Sequence, residues 1–530
     1  MYCHSTPSSN NQHNHRSIMS SLLRGGTAVR NTASKLLRGG TVLIHGEKDR
    51  VSSQLADVLI EGDRISKIDA SIPVPAGCQV IDCTDKIISP GFVDTHRHVW
   101  QSPLKGFFGD TALFPYLAIV IAAGMELKAE DMFWANLAGN MESIDAGTTT
   151  TLDHAHMNWS KDHSWFAIAG TISSGIRSIF GYTPVSIVAS TKPKIEFSSE
   201  PLPSWIMATF EQIATSQPLK DPDSRVQLGF GFDFYHLPKD VVLGVFQKVK
   251  SLGTRIITSH FIQNFIKDSE SLPVLLKSYD LLHKGIVFSH GGGATPEDVK
   301  LLNDANCFFS ATPNTELAMA VGPPVCFRKD LPGVDRVCSL GVDCHSATSG
   351  SMVNEMRMAL QTARGIESEA HIRSGIWPRE VTDKTSHAFN LGTIQGARAL
   401  RMEHEIGSIA VGKKADLVIF DSLSPAMIGV AQRDPVMAIV LHSTIRDVNT
   451  VLVDGEVRKE NGQLCPVKGT EWNSKAGFLQ TNQNIHWQEV ADRILAIQRR
   501  LVSKTPGPLL FQIEDHVREL FGHKPSSSKI

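Results

Sequence analysis

The feature that most constrains the fold is an alternation of apolar, strand-like runs with helix-like stretches in the middle of the chain. Eight such runs occur between residues 89 and 404; they are SPGFVDTHRH, TTTTLDHAH, IRSIFGYTP, VQLGFGFDFYH, RIITSHF, GIVFSHGGG, NCFFSATPN and VCSLGVDCHS. Strands that alternate with helices are typical of parallel sheets. Eight strands in this arrangement predict an α/β fold, a (β/α)8 TIM barrel over residues 89–404.

The two segments that flank this region resemble each other in pattern. Residues 36–88 and 405–465 both alternate apolar and polar positions around Gly-Asp or Asp-Gly turns, which indicates short antiparallel strands. We therefore expect the two flanks to form one small composite β-sandwich domain. Residues 466–530 are expected to be a C-terminal helical extension that packs against the barrel or a second subunit, because IHWQEVADRILAIQRRL and PLLFQIEDHVRELFG have helical periodicity.

The N-terminal segment has an unusual charge pattern. Residues 1–46 contain no Asp or Glu, and five Arg or Lys residues stand among many Ser and Thr residues. This composition is typical of a mitochondrial targeting peptide. However, LLRGGT occurs at 22–27 and again at 36–41, which favours a dispensable, disordered extension over residues 1–35. A cytoplasmic location is therefore expected, with a mitochondrial one as the alternative.

Charge and cysteine usage limit the classes of partner. The chain has 530 residues and a formal net charge of −2, so it has no basic excess for binding nucleic acid. Its eight cysteines include no CxxC pair, which indicates a reduced intracellular protein. The most apolar segment, residues 112–124, is too short to span a membrane and contains a proline. We expect a small-molecule substrate, no nucleic-acid or membrane partner, and a homo-oligomer.

Five polar side chains fall at the ends of the strand-like runs, where barrel enzymes build their active sites. His96 and His98 share one face of an extended strand, and His260, His290 and Asp343 close later runs. Each residue alone has an ordinary explanation, such as a satisfied polar group or a turn cap. Together, imidazoles and a carboxylate at one edge suit Zn²⁺ or a similar divalent ion with a position left for water.

These motifs resemble the metal-dependent amidohydrolase superfamily, in particular its cytosine/guanine deaminase and triazine-hydrolase branch. PGFVDTHRH, the later histidines, GVDCHSATSGSMVNEMRMAL and GARALRMEHEIGSIAVGKKADLVIFD carry the resemblance over about residues 36–460. It implies that one divalent metal ion, Zn²⁺ with Fe²⁺ or Mn²⁺ as alternatives, is held by four residues: His96, His98, His260 and Asp343. Asp343 would also be the general base, and His290 would polarise the substrate as the second catalytic residue.

One residue departs from the pattern of that branch. Deaminases of the group carry a glutamate three residues after the strand-five histidine, and here Gln263 occupies that position. An amide cannot transfer the proton, although it can orient a substrate, and Glu316 after the seventh run could supply a carboxylate instead. The expected substrate-binding residues are Trp100, Gln101, His156, Gln263 and Glu316.

The resemblance implies a hydrolase that uses metal-activated water to cleave a non-peptide C–N bond. The bond would belong to a cyclic amidine, an amide or an N-heteroaromatic compound. Two alternatives remain open: displacement of another leaving group, such as halide, from a heteroaromatic ring, and a non-catalytic scaffold that kept the fold.

Overall fold

The computed structural model describes residues 34–190, 195–504 and 507–524. The predicted extension 1–35 lies outside these ranges except for Ser34 and Lys35, which already belong to the first strand. The N-terminal flank contains five strands: β1 Ser34–His45, β2 Val51–Glu61, β3 Arg64–Asp69, β4 Gln79–Asp82 and β5 Lys86–Pro90.

The central region and the C-terminal flank contribute the remaining strands. The central ones are β6 Phe92–Arg97, β7 Thr148–Ala155, β8 Arg177–Tyr182, β9 Val188–Ser190, β10 Glu196–Phe197, β11 Val226–Gly231, β12 Ile257–Ile262, β13 Ile286–Gly292, β14 Phe308–Ala311 and β15 Cys338–Leu340. The later ones are β16 Leu417–Asp421, β17 Val448–Val453, β18 Glu456–Glu460, β19 Gln463–Leu464, β20 Val467–Asn473 and β21 Gly477–Ile485.

Helices connect the central strands and follow the last sheet. They are α1 Leu113–Glu126, α2 Asp131–Asp145, α3 His163–Ser174, α4 Ser204–Ala214, α5 Lys239–Ser251, α6 Leu272–Ser278, α7 Pro296–Ala305, α8 Pro313–Ala318, α9 Met352–Ser374, α10 Thr385–Leu391, α11 Ile394–Ala399, α12 Val430–Arg433, α13 Pro435–Met437, α14 Trp487–Lys504 and α15 Gly507–Leu520. Within the described residues, no helix combines the length and apolar character needed to cross a bilayer.

Eight parallel strands form the barrel, in the order β15-β14-β13-β12-β11-β8-β7-β6. The first and last strands meet through a parallel bridge between Arg97 and Asp343. Asp343 N donates to His96 O over 2.8 Å, and His98 N donates to Asp343 O over 3.1 Å. The predicted barrel is confirmed, and its closing hydrogen bonds lie at three of the predicted metal ligands.

Gly341 makes this closure possible. A Cβ atom on Gly341 would lie 2.6 Å from His96 O and 2.7 Å from His96 N, which is closer than side chains approach backbone. The segment after β15 can therefore approach β6 only because residue 341 has no side chain.

The flanking segments form one nine-stranded sheet in the order β19-β18-β17-β16-β5-β1-β2-β3, with β4 paired to β1. β5 pairs antiparallel with β16, so Ile88 lies opposite Ile419. These strands enclose a separate buried apolar cluster drawn from both flanks. The second β domain built from both ends of the chain is confirmed, although Ser89 and Pro90, placed in the barrel by the sequence, belong to its strand β5.

The segment predicted as a C-terminal helical extension, 466–530, begins with a β-hairpin formed by β20 and β21. Trp472 of this hairpin stacks on Trp165 of α3 with ring centroids 3.8 Å apart. The hairpin turn uses Gly477 at φ 79°. Helical structure therefore starts only at Trp487, because aromatic and β-branched residues before it pair across the hairpin.

The two C-terminal helices pack against the barrel. Gln498 of α14 donates to Lys105 O over 2.7 Å, in the segment after β6. Ile513 and Val517 of α15 join a buried cluster with alanines of α1. Phe521 contacts Phe265, in the loop after β12, with centroids 4.5 Å apart. The extension thus holds two of the loops that follow barrel strands.

We predict that Gly341→Ala destabilises the protein by about 1–3 kcal/mol, because the added methyl group clashes with the His96 backbone and overpacks the closure. Gly365→Ala is the control: it lies in α9, where an added methyl group would have no neighbouring atom within 4 Å, and removing a helical glycine stabilises by about 0.5–1 kcal/mol. Urea unfolding followed by circular dichroism measures both. Equal stability of the two variants would contradict the role of Gly341.

Candidate active site

The five strand-end residues predicted to carry the chemistry meet at the carboxyl edge of the barrel. Nε2 of His96 lies 3.2 Å from Asp343 Oδ1, and Nε2 of His98 lies 3.1 Å from the same oxygen. Nε2 of His260 lies 3.3 Å from His98 Nε2. Donor atoms of His96, His260 and His290 also lie within 4.8 Å of one another. The structure therefore brings all five residues together.

The second ring nitrogen of each imidazole is held by a neighbour. His98 Nδ1 donates to the carbonyl of His154 over 2.8 Å, and His260 Nδ1 donates to Asp233 Oδ2 over 2.8 Å. His96 Nδ1 is hydrogen-bonded to Ser289 Oγ at 2.7 Å. A carbonyl or carboxylate can only accept, so in neutral His98 and His260 the lone pair is on Nε2, which faces the centre.

This arrangement fits a metal cation. The Nε2 lone pairs of His98 and His260 face each other at 3.3 Å, and Asp343 Oδ1 lies 3.1 Å from His98 Nε2, so acceptors face acceptors unless a cation lies between them. Nε2 of His96 is buried and has no hydrogen-bond partner among the described residues. Burial lowers the pKa of His96 well below its usual value and also lowers that of His98, which favours the neutral form that binds metal. Burial also acts to lower the pKa of His260, but the Asp233 carboxylate raises it overall.

Two of these residues have left-handed backbone conformations that are uncommon for side-chain-bearing residues. Asp343 has φ 60° and His290 has φ 75°. The hydrogen bonds that close the barrel hold Asp343 in this conformation. Although burial raises the pKa of Asp343, the adjacent His96 and His98 imidazoles keep it well below its usual value. The carboxylate is therefore ionised.

His290 is held by a chain of hydrogen bonds that leads away from the site. Its Nδ1 lies 2.9 Å from Thr312 Oγ1, and that hydroxyl donates to Glu316 Oε1 over 3.3 Å. The Thr312 hydroxyl therefore accepts from His290 Nδ1–H, which leaves the Nε2 lone pair free. Burial raises the pKa of Glu316, and His290 opposes that rise. Glu316 thus contacts His290 and Thr312 and is almost fully buried.

The predicted substrate-binding residues near β6 and β7 are also held by hydrogen bonds to buried neighbours. Trp100 is fully buried, and its indole Nε1 donates to His156 Nδ1 over 3.2 Å. Neutral His156 therefore carries its proton on Nε2 and can donate from there. Its ring centroid lies 3.8 Å from that of His98. Gln101 is also buried and is bonded to the hydroxyls of Tyr116 and Ser346.

Gln263, the residue that departs from the resemblance, follows β12 directly. Its backbone N–H donates to Gly292 O over 2.8 Å, and its side-chain amide donates to Ser269 O over 3.5 Å. Gly293 approaches so closely that a Cβ there would lie 2.7 Å from the Gln263 Cβ. The amide therefore contacts its own loop, and no acid stands at this position.

Sequence reasoning missed Asp233, two residues after β11. Its carboxylate accepts from the His260 backbone N over 2.9 Å and from His260 Nδ1, and it also lies 3.1 Å from His154 Nε2. Although burial raises the pKa of Asp233, the two histidines hold it well below its usual value. The signal was available, because Asp233 follows a strand at the same barrel edge as the other site residues.

Arg97, between the two histidines of the first motif, points away from the site. It is fully buried and lies 3.4 Å from Asp94 and 3.3 Å from Glu142. Glu142 also accepts from His345 Nδ1 over 2.6 Å. This network lies behind β6 and anchors the strand that carries His96 and His98.

Comparisons with known proteins identify the family. A family model described as "Amidohydrolase family" matches residues 87–458. A 5-methylthioadenosine/S-adenosylhomocysteine deaminase of Thermoanaerobacter pseudethanolicus is 26% identical over 440 residues, which are 80% of this chain and 94% of that protein. A 5'-deoxyadenosine deaminase of Methanobrevibacter smithii is 27% identical over 433 residues, 79% of this chain and 92% of that protein.

Solved structures share the fold at lower sequence identity. An adenosine deaminase from Xanthomonas campestris with bound zinc has a TM-score of 0.71 at 17% identity, and the match covers 89% of this chain and 99% of that one. An atrazine chlorohydrolase from Arthrobacter aurescens complexed with zinc has a TM-score of 0.69 at 15% identity and coverage of 88% and 100%.

We predict that Asp233→Asn lowers metal affinity about 10- to 100-fold, because it weakens the hydrogen bond that orients His260. Competition with a chromogenic chelator measures the affinity without any substrate. Asp240→Asn, at an exposed position of α5, is the control and should leave the affinity unchanged. Wild-type affinity in Asp233→Asn would show that His260 needs no carboxylate partner.

Proposed function

The chain belongs to the amidohydrolase family, and on that premise we propose that it is a metal-dependent hydrolase of a non-peptide C–N bond in an N-heteroaromatic small molecule. One observation carries the proposal: three imidazole nitrogens converge with the Asp343 carboxylate, and the lone pairs of His98 and His260 face inward among them. A non-catalytic scaffold would have no need to retain such a mutually repelling set of acceptors.

His96, His98, His260 and Asp343 would hold the metal ion. We propose Zn²⁺, with Fe²⁺ or Mn²⁺ as alternatives, because three neutral imidazoles and one carboxylate suit zinc. Two structures that share the fold contain zinc. When bound, the ion acts as a Lewis acid that lowers the pKa of water and polarises the bond to be cleaved.

The protein's own residues then move the protons. Asp343, ionised and itself one of the four proposed ligands, is placed to accept a proton from water as general base. In its imidazolium form His290 would donate from Nε2 to the substrate atom that gains charge, and the Thr312 hydroxyl fixes its orientation. His156 offers an Nε2–H donor, fixed by Trp100, to an acceptor on the substrate. Protonated Asp343 can return its proton to the leaving nitrogen.

Among heteroaromatic substrates, we propose an aminopurine of the adenosine type, from which the exocyclic amine leaves as ammonia. The support comes from the relatives, which are named as deaminases of adenosine-derived nucleosides. A second candidate is displacement of halide from a heteroaromatic ring. The Gln263 amide favours it, since a halide leaves without a proton and so needs no acid at that position.

The cellular context is also a proposal. We propose a homo-oligomer that acts in the cytoplasm on small molecules and binds no nucleic acid. The net charge of −2 supports the last point. The seven cysteines within the described residues are all free, which suits a reducing compartment.

We predict that the purified protein contains bound metal and releases ammonia from a member of a panel of adenosine derivatives, other aminopurines, pyrimidines and triazines. His98→Ala should lose both metal and activity. Asp343→Asn should lose activity by a factor of at least about 10³, since it removes the general base. Elemental analysis and an ammonia assay measure both properties.

The matched control is Asp335→Asn, an exposed residue just before β15, which should retain metal and turnover. Full activity in Asp343→Asn would overturn its role as base. A wild-type protein free of zinc, iron and manganese after expression in metal-supplemented medium would overturn the proposal of a metal-dependent hydrolase.

We predict that Gln263→Glu changes substrate preference and the pH dependence of kcat/KM, because a carboxyl group adds a proton donor beside the site. The kcat/KM for substrates that release an amine should rise relative to that for substrates that release a halide. The fold should be retained, as judged by the thermal unfolding midpoint. An unchanged ratio of the two substrate classes would place Gln263 outside the reaction.

A further inference from the structure

The last helix, α15, and the residues that follow it lie against the carboxyl edge of the barrel. We refer to residues 507–524 as the C-terminal clasp. Ile513 and Val517 of the clasp join a buried apolar cluster with Ala118 of α1, the helix after β6. The same cluster contains Ile195, in the segment after β8. The clasp therefore joins segments that follow two different barrel strands.

The start of α1 crosses the mouth of the barrel. Strands β6 and β12 lie four places apart in the closed order of eight strands, on opposite sides of the barrel. Even so, the Phe114 ring in the first turn of α1 stacks on Phe265, in the loop after β12, with centroids 5.9 Å apart. Leu113 N also donates to Met319 O, after β14, over 3.3 Å. The segments that follow β6, β12 and β14 thus meet across the carboxyl edge.

The inner side of α1 contacts the active site. Gln101 Nε2 donates to the Tyr116 hydroxyl over 2.7 Å, and that hydroxyl lies 3.1 Å from Cys344 Sγ. Cys344 directly follows Asp343 in the chain. Helix α1 therefore lies beside the proposed metal ligands, with Tyr116 directed towards the site and Phe114 towards the clasp.

The clasp ties α1 to the loop after β12. The Arg518 guanidinium lies 4.5 Å from the centroid of the Phe114 ring. The Phe521 ring lies 4.5 Å from that of Phe265, and His523 Nε2 donates to Phe265 O over 2.9 Å. The clasp thus holds together the two segments whose rings meet across the mouth.

The active site opens beside that loop. The side chains of His96, His98 and Asp343 are only 0%, 2% and 5% exposed, whereas those of His260 and Asp233 are 28% and 32% exposed. His260 lies in β12 and Asp233 follows β11, so the exposed side of the site faces the loops after these two strands. A molecule that reaches the ligand cluster from this side passes the loop that the clasp holds.

The contacts of the clasp are few enough to break without unfolding the barrel. The buried residues of α15 are Ile513, Glu514 and Val517, and Phe511 is 70% exposed. Elements with few buried contacts open locally at low free-energy cost. Gly106, between β6 and α1, has φ 88° and no atom within 4 Å of an added Cβ, so the chain has room there to change its dihedral angles.

From this arrangement we propose that the C-terminal clasp gates access to the active site. In the closed state it holds α1 against the loop after β12 and narrows the opening beside His260. Release of Phe521 from Phe265 lets the two segments separate, with Gly106 as the hinge, so that a planar heteroaromatic substrate enters and the product leaves. The inference rests on the proposed function for what passes the gate. The clasp itself lies outside residues 87–458, the region that matches the amidohydrolase family.

The rate at which a chelator removes metal from the full-length, zinc-loaded protein tests the gate without any substrate. 1,10-Phenanthroline is planar and heteroaromatic, so it has to pass the same opening. Where the rate is proportional to chelator concentration, Phe521→Ala should accelerate metal removal about three- to tenfold, the effect of losing one aromatic pair that favours the closed state. The equilibrium affinity for zinc should be unchanged, because the open and closed states share the same ligands.

Gly522→Ala is a second, independent variant of the clasp. Gly522 has φ 78°, and a Cβ atom there would lie 3.3 Å from Lys267 Cβ, so alanine strains the turn that brings His523 to the loop. This variant should also accelerate metal removal. Phe511→Ala is the matched control, because Phe511 belongs to α15 but is exposed; it should lose metal at the wild-type rate.

Hydrogen exchange of the backbone amides measures the opening itself and needs no metal. In Phe521→Ala, the amides of residues 113–126 and 263–271 should exchange faster than in the wild type, and those of strand β13 should not. Wild-type chelation rates in folded Phe521→Ala and Gly522→Ala would overturn the gate, as would unchanged exchange in both segments. A purified protein that binds no metal would instead count against the proposed function, and hydrogen exchange would then decide on the gate alone.

Discussion

The backbone pairing that closes the barrel is the constraint on which the active site depends. The backbone of Asp343 accepts from His98 N–H and donates to His96 O. The segment after the last strand therefore joins the first strand at the residues whose side chains converge. The metal-ligand geometry is therefore set by main-chain hydrogen bonds that also complete the fold. The close approach requires Gly341, and it places Asp343 in a left-handed conformation. Strain of this kind persists where the surrounding structure over-determines it.

A layer of orienting groups stands behind the converging side chains. Asp233 holds His260, the carbonyl of His154 holds His98, and Thr312 holds His290. Each partner engages Nδ1 and leaves Nε2 directed inward, which fixes the tautomer as well as the ring position. Binding geometry is thereby built before any cation arrives, and the cost of ordering the ligands belongs to folding rather than to binding.

The parts of the chain outside the barrel support it at both ends. The composite β domain is tied to the amino end of the barrel by Arg177, the first residue of β8, which pairs with Asp416 over 2.8 Å. The C-terminal helices contact the segment after β6 and the loop after β12 through Gln498 and Phe521. The segments that carry His98 and Gln263 are thus supported from outside the barrel.

The amino-acid sequence determined the barrel and the second β domain, because the period of apolar residues sets strands and helices, and parallel strands bring their carboxyl ends to one edge. It also determined the five residues at that edge, since strand ends are visible in the pattern. It did not reveal that residues 467–485 pair as a hairpin, because that depends on Trp472 stacking on a distant helix.

Only the tertiary structure decided which nitrogen of each imidazole faces inward. Asp233, Thr312 and the His154 carbonyl are distant along the chain from the histidines they orient, and no local periodicity encodes such contacts. The same holds for Glu316, whose spacing in the sequence equally allows an exposed helix residue but whose position in the fold is buried beside His290. Local pattern determines which residues reach the edge of a barrel, and packing across the barrel determines what each of them touches there.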